Sequence, residues 1–452
     1  MTKSPAEPKP VVLGRYRYSK WRWRVLVRAL DAAGGIGLRA WRAVRPRPVV
    51  DRPRRILVVQ LDHLGDAILS SPIFPRLRAA YPGARIEVLA SPSNREVFEA
   101  DPDVDRVHLA AKNWFERRRG SWALGSAVWS LGRSLRSGNY DLGIDVRGDI
   151  LSVAVLALAG IPRRVGWAMG GGGFLLTDVA EWVAGRHEVA SRMALLDQIG
   201  LAEDGPPRVV VHVVDAERAG VARRLRDAWP DRPAGRRSKA KAPAAVRTRG
   251  RGPDRDSKSA TGSDAAEWLH AGRFAAKAPL LVVHLDAGTA AKRWPREHWR
   301  TLVGRFLDEG WRVIAVGGPD DVDADADGRP ALDPHPGLRD WTGRLQLTET
   351  AALLERADLF IGPDSGPAHL AACAGVASVV LFSGTNRRQQ WRPWSRKALV
   401  LRQPVACSPC HRKICPLADH PCMAGLDPDR VHRAARRWWA RLNRAESPHA
   451  PF

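Results

Sequence analysis

Three short segments of this chain carry residue types suited to moving a proton and holding a phosphate. In Leu61-Asp62-His63-Leu64-Gly65-Asp66 a carboxylate follows a glycine at the start of a helical pattern. Asp66 in that place either takes a proton from a hydroxyl as general base or caps the helix. Gly65 lets another part of the backbone come close. In Gly288-Thr289-Ala290-Ala291-Lys292-Arg293-Trp294-Pro295, small residues precede two cations and a proline that suits a first helical turn. This loop reads either as a cradle for a diphosphate or as a solvated basic loop. In residues 361–372, IGPDSGPAHLAA, a strand ends in a small-residue turn and a helix begins. The free N–H groups and dipole at such a start form an anion site. Ser365 adds a hydroxyl donor there, and His369 is either a phosphate ligand or a packed core histidine. Two phosphate-suited loops facing one carboxylate weigh more than any of the three alone.

A fourth segment is of another kind. Cys407-x2-Cys410-x4-Cys415-x6-Cys422 has His411 and His420 interleaved. Four soft ligands this close suit a structural zinc site; reduced thiols or disulfides are the alternatives. Cys373 reads as a small core residue. Of the 18 tryptophans, Trp299 and Trp311 fall at helix–strand packing positions. Trp391 and Trp394, after Gly384-Thr385-Asn386, are placed to meet a nucleotide base.

These segments need a frame that brings loops together. The apolar run Ile56-Leu57-Val58-Val59 fits a strand buried on both faces. Further strands are predicted at 85–90, 106–110 and 140–146, with helices near 64–80, 121–136 and 148–159. The alternation restarts with strands at 280–286, 312–317, 359–362 and 376–382. Helices lie between them at 295–309, 348–356 and 365–374. Such alternation predicts α/β architecture: two doubly wound, Rossmann-like domains with a ligand cleft between them. The boundaries read as a basic aromatic extension over 1–52, a first domain over 53–229, a disordered basic insertion or linker over 230–264, a second domain over 265–427, and a helix and tail over 428–452. The last helix, carrying Trp438 and Trp439, is expected to pack back on the first domain.

At 452 residues, 44% hydrophobic and 27% charged, the chain is neither collagen, coiled coil nor wholly disordered. Its 72 basic against 48 acidic residues leave a formal charge of +24. Nearly all of the excess sits on appendages: +12 over residues 1–55, +7 over 231–258 and +4 over 429–446. A nucleic-acid reader more often carries its charge as a stripe on the fold. The implied macromolecular partner is therefore an anionic membrane surface rather than nucleic acid. In the extension, Arg15-Tyr16-Arg17-Tyr18 and Lys20-Trp21-Arg22-Trp23-Arg24 interleave bases with aromatics. That pattern fits a disordered tail, a membrane-surface segment or an RNA contact. No signal peptide is apparent, and the apolar stretch Val25 to Leu38 is short and broken by Arg28 and Asp31. The chain reads as cytoplasmic, either free or peripheral on the inner face of the cytoplasmic membrane.

In this order and context, residues 56–72 (ILVVQLDHLGDAILSSP), 288–299 (GTAAKRWPREHW), 316–319 (VGGP) and 347–372, with its DLFIGPDSGPAHLAA, resemble glycosyltransferase family nine. That family holds the ADP-heptose:lipopolysaccharide heptosyltransferases and their relatives. The likeness spans about residues 54–425. It implies a GT-B fold and inverting transfer of a heptose-type sugar from a nucleotide-sugar donor, typically ADP-heptose. The acceptor implied is a lipopolysaccharide core or another glycan or lipid-linked sugar. It implies no catalytic metal and no required cofactor. Asp66 matches the family's general base and Lys292 its pyrophosphate-binding lysine. Asp364, Ser365, Gly366 and His369 match its donor-phosphate turn, with Thr289 beside them. Asp62 and Gly65 fall on the acceptor-side loop. Some members carry a cluster similar to Cys407, Cys410, Cys415 and Cys422. The extension, the insertion and the apolar Ala290-Ala291 depart from the family pattern. Two readings from other classes are a nucleotide-sugar epimerase on the same architecture and a basic nucleic-acid-binding protein.

Overall fold

The computed structural model describes residues 21–44, 50–110, 121–202, 205–230, 278–319, 321 and 331–445. The predicted disordered insertion lies outside the described residues, apart from residue 230.

Two six-stranded parallel sheets form the frame. The first comprises β1 (Arg55–Gln60), β2 (Arg85–Ala90), β3 (Arg106–Leu109), β4 (Leu142–Asp145), β5 (Arg163–Trp167) and β6 (Asp178–Ala180), in the order 3-2-1-4-5-6. The second comprises β7 (Leu280–His284), β8 (Arg312–Val316), β9 (Leu338–Asp340), β10 (Leu359–Pro363), β11 (Ser378–Leu381) and β12 (Ala398–Leu401). Its order, 12-11-10-7-8-9, is the same topology read from the other edge. Central strands β1, β4, β7 and β10 are apolar runs because both their faces are covered.

The described helices are α1 (Trp21–Val44), α2 (Leu64–Ser70), α3 (Ile73–Ala80), α4 (Glu96–Glu99), α5 (Ser121–Ser134), α6 (Ile150–Leu158), α7 (Glu188–Asp197), α8 (Asp215–Ala228), α9 (Arg296–Asp308), α10 (Leu347–Leu354), α11 (Gly366–Ala374), α12 (Arg388–Trp391), α13 (Pro421–Ala424) and α14 (Pro428–Ala445). The single helix predicted over 64–80 is two, with the break at Ser71-Pro72. A proline cannot donate within a helix, so the second helix takes Pro72 as its N-cap.

Three expectations change. The boundary at 229 is misplaced, because α8 packs on α10 of the second domain. Arg218 pairs with Glu355 at 2.8 Å and Glu217 accepts from Thr348 at 2.5 Å. Trp229 donates to the Pro336 carbonyl at 3.2 Å. The chain thus crosses between domains before α8. The closing helix α14 lies on α9 of the second domain, not on the first domain. Trp439 meets Trp311 edge-on at 4.9 Å, His432 meets Phe306 at 4.9 Å, and Arg436 pairs with Glu309 at 3.0 Å. The extension is in part structured: α1 docks on the Gly170–Phe174 segment of the first domain. Asp31, buried, accepts from the Gly172 N–H at 2.8 Å, and Val27 is buried beside Gly171. A Cβ on Gly171 would stand 2.4 Å from Val27, so only glycine admits the helix at this distance. Residues 1–20 of the extension lie outside the described residues.

Candidate active site

In open parallel sheets ligands bind beyond the carboxyl ends of the strands, where the strand order reverses. Here that point lies between β1 and β4 in the first domain and between β7 and β10 in the second. The loops leaving those four strands carry Asp62 to Asp66, Asp145 to Asp149, Asp286 to Lys292, and Asp364 to Ser365. The predicted chemistry-bearing loops therefore fall where the topology puts a ligand.

The two domains meet through the N-terminal ends of α2 and α11. A Cβ on Gly65 would lie 3.0 Å from the His369 ring, and one on Gly366 would lie 2.7 Å from Leu64. The absence of side chains at both glycines lets the two helix starts face each other across the cleft. Three bonds close the contact behind them. Gln390 of α12 donates to Glu188 of α7 at 2.6 Å, His187 donates to the Arg392 carbonyl at 2.8 Å, and Trp394 donates to the Pro207 carbonyl at 2.8 Å. His187 Nδ1 accepts from the Val189 N–H, which fixes the neutral tautomer. Burial also lowers its pKa.

Two cavities open on either side of Asp66. The larger, about 620 Å³, is walled by both domains and holds Gly65, Asp66, Thr289, Lys292, Asp364, Ser365, Gly366 and His369 together. The second, about 440 Å³, is lined mainly by the first domain, with Trp391 of the second domain at one side, and reaches Asp62, Arg147, Asp149, Trp167, Glu188 and Arg192. Asp66 and Trp391 line both. A carboxylate thus stands in the partition between two binding spaces.

Asp66 is held there by α7. Arg192 donates to its Oδ1 at 2.9 Å, to Glu188 at 2.6 Å and to Ser70 at 2.7 Å. Burial pushes the Asp66 carboxyl up to about 7, the nearby Asp62 carboxylate pushes the same way, and Arg192 opposes both. A base with a pKa near the working pH is half ionised and still strongly basic. The capping alternative for Asp66 is not used, since the N-cap of α2 is His63 with no side-chain cap bond.

In the larger cavity the cation sits against the second domain. Lys292 Nζ pairs with Asp364 Oδ2 at 2.8 Å and donates to the Asp364 carbonyl at 3.0 Å. Asn386 donates to the same carboxylate at 3.1 Å. Asp364 is buried and its carboxylate is engaged, so it positions the lysine instead of meeting an anion itself. Ser365 is the N-cap of α11, and its hydroxyl lies 3.1 Å from His284, which in turn lies 3.1 Å from Asp321. Pro367 in the first turn costs no helical hydrogen bond, because an N–H there would have no partner within the helix. Thr289 Oγ1 and His369 Nδ1 are buried with no partner in the protein. Burial pushes His369 down to about 4, so the ring is neutral at neutral pH. A donor end, a cation and two unpartnered polar atoms around one space suit a diphosphate.

A family model, glycosyltransferase family 9 (heptosyltransferase), matches residues 128–420. The chain belongs to this family. It is 25% identical over 363 residues to lipopolysaccharide heptosyltransferase 2 of Escherichia coli K12, covering 77% of this chain and 88% of that protein. Among solved structures it is similar to a glycosyl transferase family 9 protein from Veillonella parvula, with TM-score 0.63 and 20% identity over 87% of this chain and 99% of that one. It is also similar to the E. coli ADP-heptose lipopolysaccharide heptosyltransferase II, with TM-score 0.60 and 20% identity over 86% and 99%. The structural likenesses show the GT-B fold of two Rossmann-like domains.

Within this family 9 frame, sequence reasoning missed Arg147, Asp149, Glu188, Arg192, His284 and Asn386. Their roles come from contacts in space: Arg147 meets Asp62, Arg192 meets Asp66, His284 meets Ser365 and Asn386 meets Asp364, while Asp149 and Glu188 hold the two arginines. Of the two tryptophans expected near the base, Trp391 lines the cavity, whereas Trp394 lies tilted against His187 with ring centres 4.5 Å apart. Trp299 and Trp311 are buried as expected.

The cysteine segment lies beside the site and not in it. Ala291 donates to the Lys413 carbonyl at 2.9 Å, and Cys410 donates to the Gly384 carbonyl at 2.9 Å. The segment therefore braces the loops that hold Lys292 and Asn386. Cys407, Cys410, Cys415 and Cys422 are free thiols. Burial raises the Cys422 pKa, and the other three thiols add to it. Among the described residues no three or more His, Cys, Asp or Glu side chains form a group able to hold a metal ion. Cys373 packs against the core, where burial pushes its thiol up to about 12. Among the described residues no helix is long and apolar enough to cross a membrane.

Proposed function

We propose that this chain is an inverting glycosyltransferase that moves a heptose-type sugar from ADP-heptose to a sugar of the lipopolysaccharide core, or of another glycan or lipid-linked acceptor. The observation that carries the reading is the position of Asp66, shared by a diphosphate-suited cavity and a second cavity lined mainly by the first domain. The acceptor hydroxyl gives its proton to the Asp66 carboxylate. Its oxygen forms a bond to the anomeric carbon while the bond from that carbon to the phosphate oxygen breaks. The electron pair leaves with the nucleoside diphosphate, which Lys292 and the start of α11 stabilise. The remaining carboxylates of the larger cavity are engaged: Asp364 with Lys292 and Asn386, Asp321 with His284 and the Gly318 N–H. That favours one direct displacement, and hence inversion, over a covalent sugar–enzyme intermediate. The charge that offsets the leaving group comes from the protein itself, so we propose transfer without a catalytic metal. The donor choice is supported by the E. coli relative named for ADP-heptose.

We further propose that the enzyme works on the inner face of the cytoplasmic membrane, held by its basic arms. Helix α1 supports this. With its inner face docked through Val27 and Asp31, it leaves Trp21, Val25, Leu26, Leu30 and Ile36 exposed beside Arg24 and Arg28. Apolar and cationic side chains on one exposed surface fit an anionic bilayer. The helix docks next to Met169 and Gly170, which line the second cavity.

The test of function is transfer itself. With ADP-heptose and a core-type acceptor, the enzyme releases ADP and forms a glycoside of inverted anomeric configuration, read by proton NMR. Retention of configuration rejects the mechanism. Sedimentation with phosphatidylglycerol vesicles, lost in 0.5 M salt on the order used to screen such contacts, tests the membrane reading.

A further inference from the structure

The second cavity is unusual in its charge. It presents four carboxylates, Asp62, Asp66, Asp149 and Glu188, against two guanidiniums, Arg147 and Arg192. Each guanidinium is held by two of those carboxylates. Arg147 meets Asp62 at 2.7 Å and Asp149 at 2.9 Å; Arg192 meets Glu188 at 2.6 Å and Asp66 at 2.9 Å. No lysine or histidine is among the residues lining it. An incoming phosphate or carboxylate would meet guanidiniums already neutralised by carboxylates, and would have to face those carboxylates or displace one of them. It would also raise the proton affinity of Asp66, which burial and Asp62 already raise, and so disarm the base.

Hydroxyl groups meet the opposite situation. Carboxylate oxygens bonded to a guanidinium keep lone pairs for O–H donors. The apolar part of the wall is aromatic: Trp167 and Trp182 lie edge to face at 5.3 Å, and Trp391 closes the side shared with the larger cavity. Trp167 is buried in this wall, and its indole N–H has no partner in the protein.

We infer that the sugar unit presented to Asp66 is uncharged: a polyol gripped through its hydroxyls by Asp62 and Asp149 against a tryptophan wall, not a phosphorylated or carboxylated sugar. This rests on the transferase reading above and narrows its acceptor class. Charged groups elsewhere on a larger acceptor are outside the inference.

The experiment uses the full chain with ADP-heptose and three families of octyl glycoside, of mannose, glucose and galactose. Each is supplied neutral, as the 6-phosphate and as the 6-carboxylate. ADP-heptose binding is measured separately by calorimetry. The best neutral acceptor is expected to exceed its own phosphate and carboxylate forms about 100-fold in kcat/KM, the scale set by like-charge contact. Asp149→Asn keeps a side-chain oxygen for the N-cap of α6, where Asp149 accepts from the Leu151 N–H. It removes one charge from Arg147, and it is expected to narrow the neutral-to-phosphate ratio about ten-fold. Equal or better use of the charged forms by the natural enzyme overturns the inference. So does transfer to none of the series by an enzyme that binds ADP-heptose. Failure to bind ADP-heptose strikes the donor reading first and takes this inference with it.

Discussion

The two sheets share one strand order, yet their switch points are furnished in opposite ways. In the second domain the crevice offers N–H groups at the start of α11, Lys292 tied to the single buried Asp364, and unpartnered atoms on Thr289 and His369. In the first, acids outnumber bases and every guanidinium is spent on carboxylates. On the proposed reading one crevice receives negative charge and the other receives a proton. The fold supplies equivalent positions; the side chains after β1 and β4, or after β7 and β10, decide what each position does.

The strongest way to break this contrast is to remove the proton acceptor and leave the anion side alone. Asp66→Asn is expected to lower kcat about 1,000-fold, within the range for losing a general base. ADP affinity by calorimetry should stay within about three-fold, because Asp66 opposes the cation side and does not build it. A variant that loses ADP binding as well would show that the two crevices are not separable.

The reciprocal change comes next in size. Lys292→Ala is expected to lower kcat about 100-fold, the scale for losing one group that stabilises leaving charge. It should weaken ADP binding too, since the lysine serves the bound diphosphate as well as the departing one. Asp364→Asn tests positioning by a different signature. It keeps the shape and frees the lysine, so the loss should be smaller. If Lys292 acted from any position in the cavity, that variant would match the natural enzyme.

Much of this arrangement could be read in advance, and the reason is local. The LGD and DSGPAH phrases carry their function within a few residues, because a strand end, a turn and a helix start are all set by neighbouring positions. The parallel runs of Ile56 to Val59 and Leu280 to Val283 announce central strands in the same way. What stayed hidden depends on distant contacts. Arg192 looks like any helical arginine until α7 is packed on α2, where it becomes fully buried among Ser70, Asp66 and Glu188. Helix α8 precedes the insertion in the chain and yet belongs to the second domain, because its partners Thr348, Glu349 and Glu355 come more than a hundred residues later. Strands β5, β6 and β9 are short edge or near-edge strands with weak apolar pattern, and β12, though apolar, is only four residues long.

A pH profile sharpens the contrast without removing an atom of the site. Asp66 titrates at about 7, so kcat/KM should climb close to ten-fold per pH unit below that value and level off above it. The sign follows from the base being active only as the carboxylate. His369, held down to about 4, is neutral throughout this window and adds no second limb. Asp62→Asn removes one of the three influences that raise Asp66, the others being burial and Glu188. Its midpoint should therefore move to lower pH, with relatively more activity retained at pH 6. A midpoint that stays put would mean that burial, Glu188 and Arg192 set the base without Asp62.

The smallest effect expected concerns the bond that joins the two crevices. Gln390, carried by α12 of the second domain, donates to Glu188, which holds Arg192, which holds Asp66. Trp391, the next residue, lines both cavities. Domain approach is thereby linked to the placement of the base through three consecutive contacts. Gln390→Ala leaves every group of both crevices in place and removes only this link. Glu188 then keeps its pair with Arg192 and loses one neutral donor, a change of about 1 kcal/mol. A fall of about five-fold in kcat is expected, with ADP affinity unchanged and the pH midpoint raised, because Glu188 left with less neutral support draws Arg192 toward itself and away from Asp66. If kcat falls while the midpoint holds, Gln390 serves closure alone, and the base owes its placement to the first domain by itself.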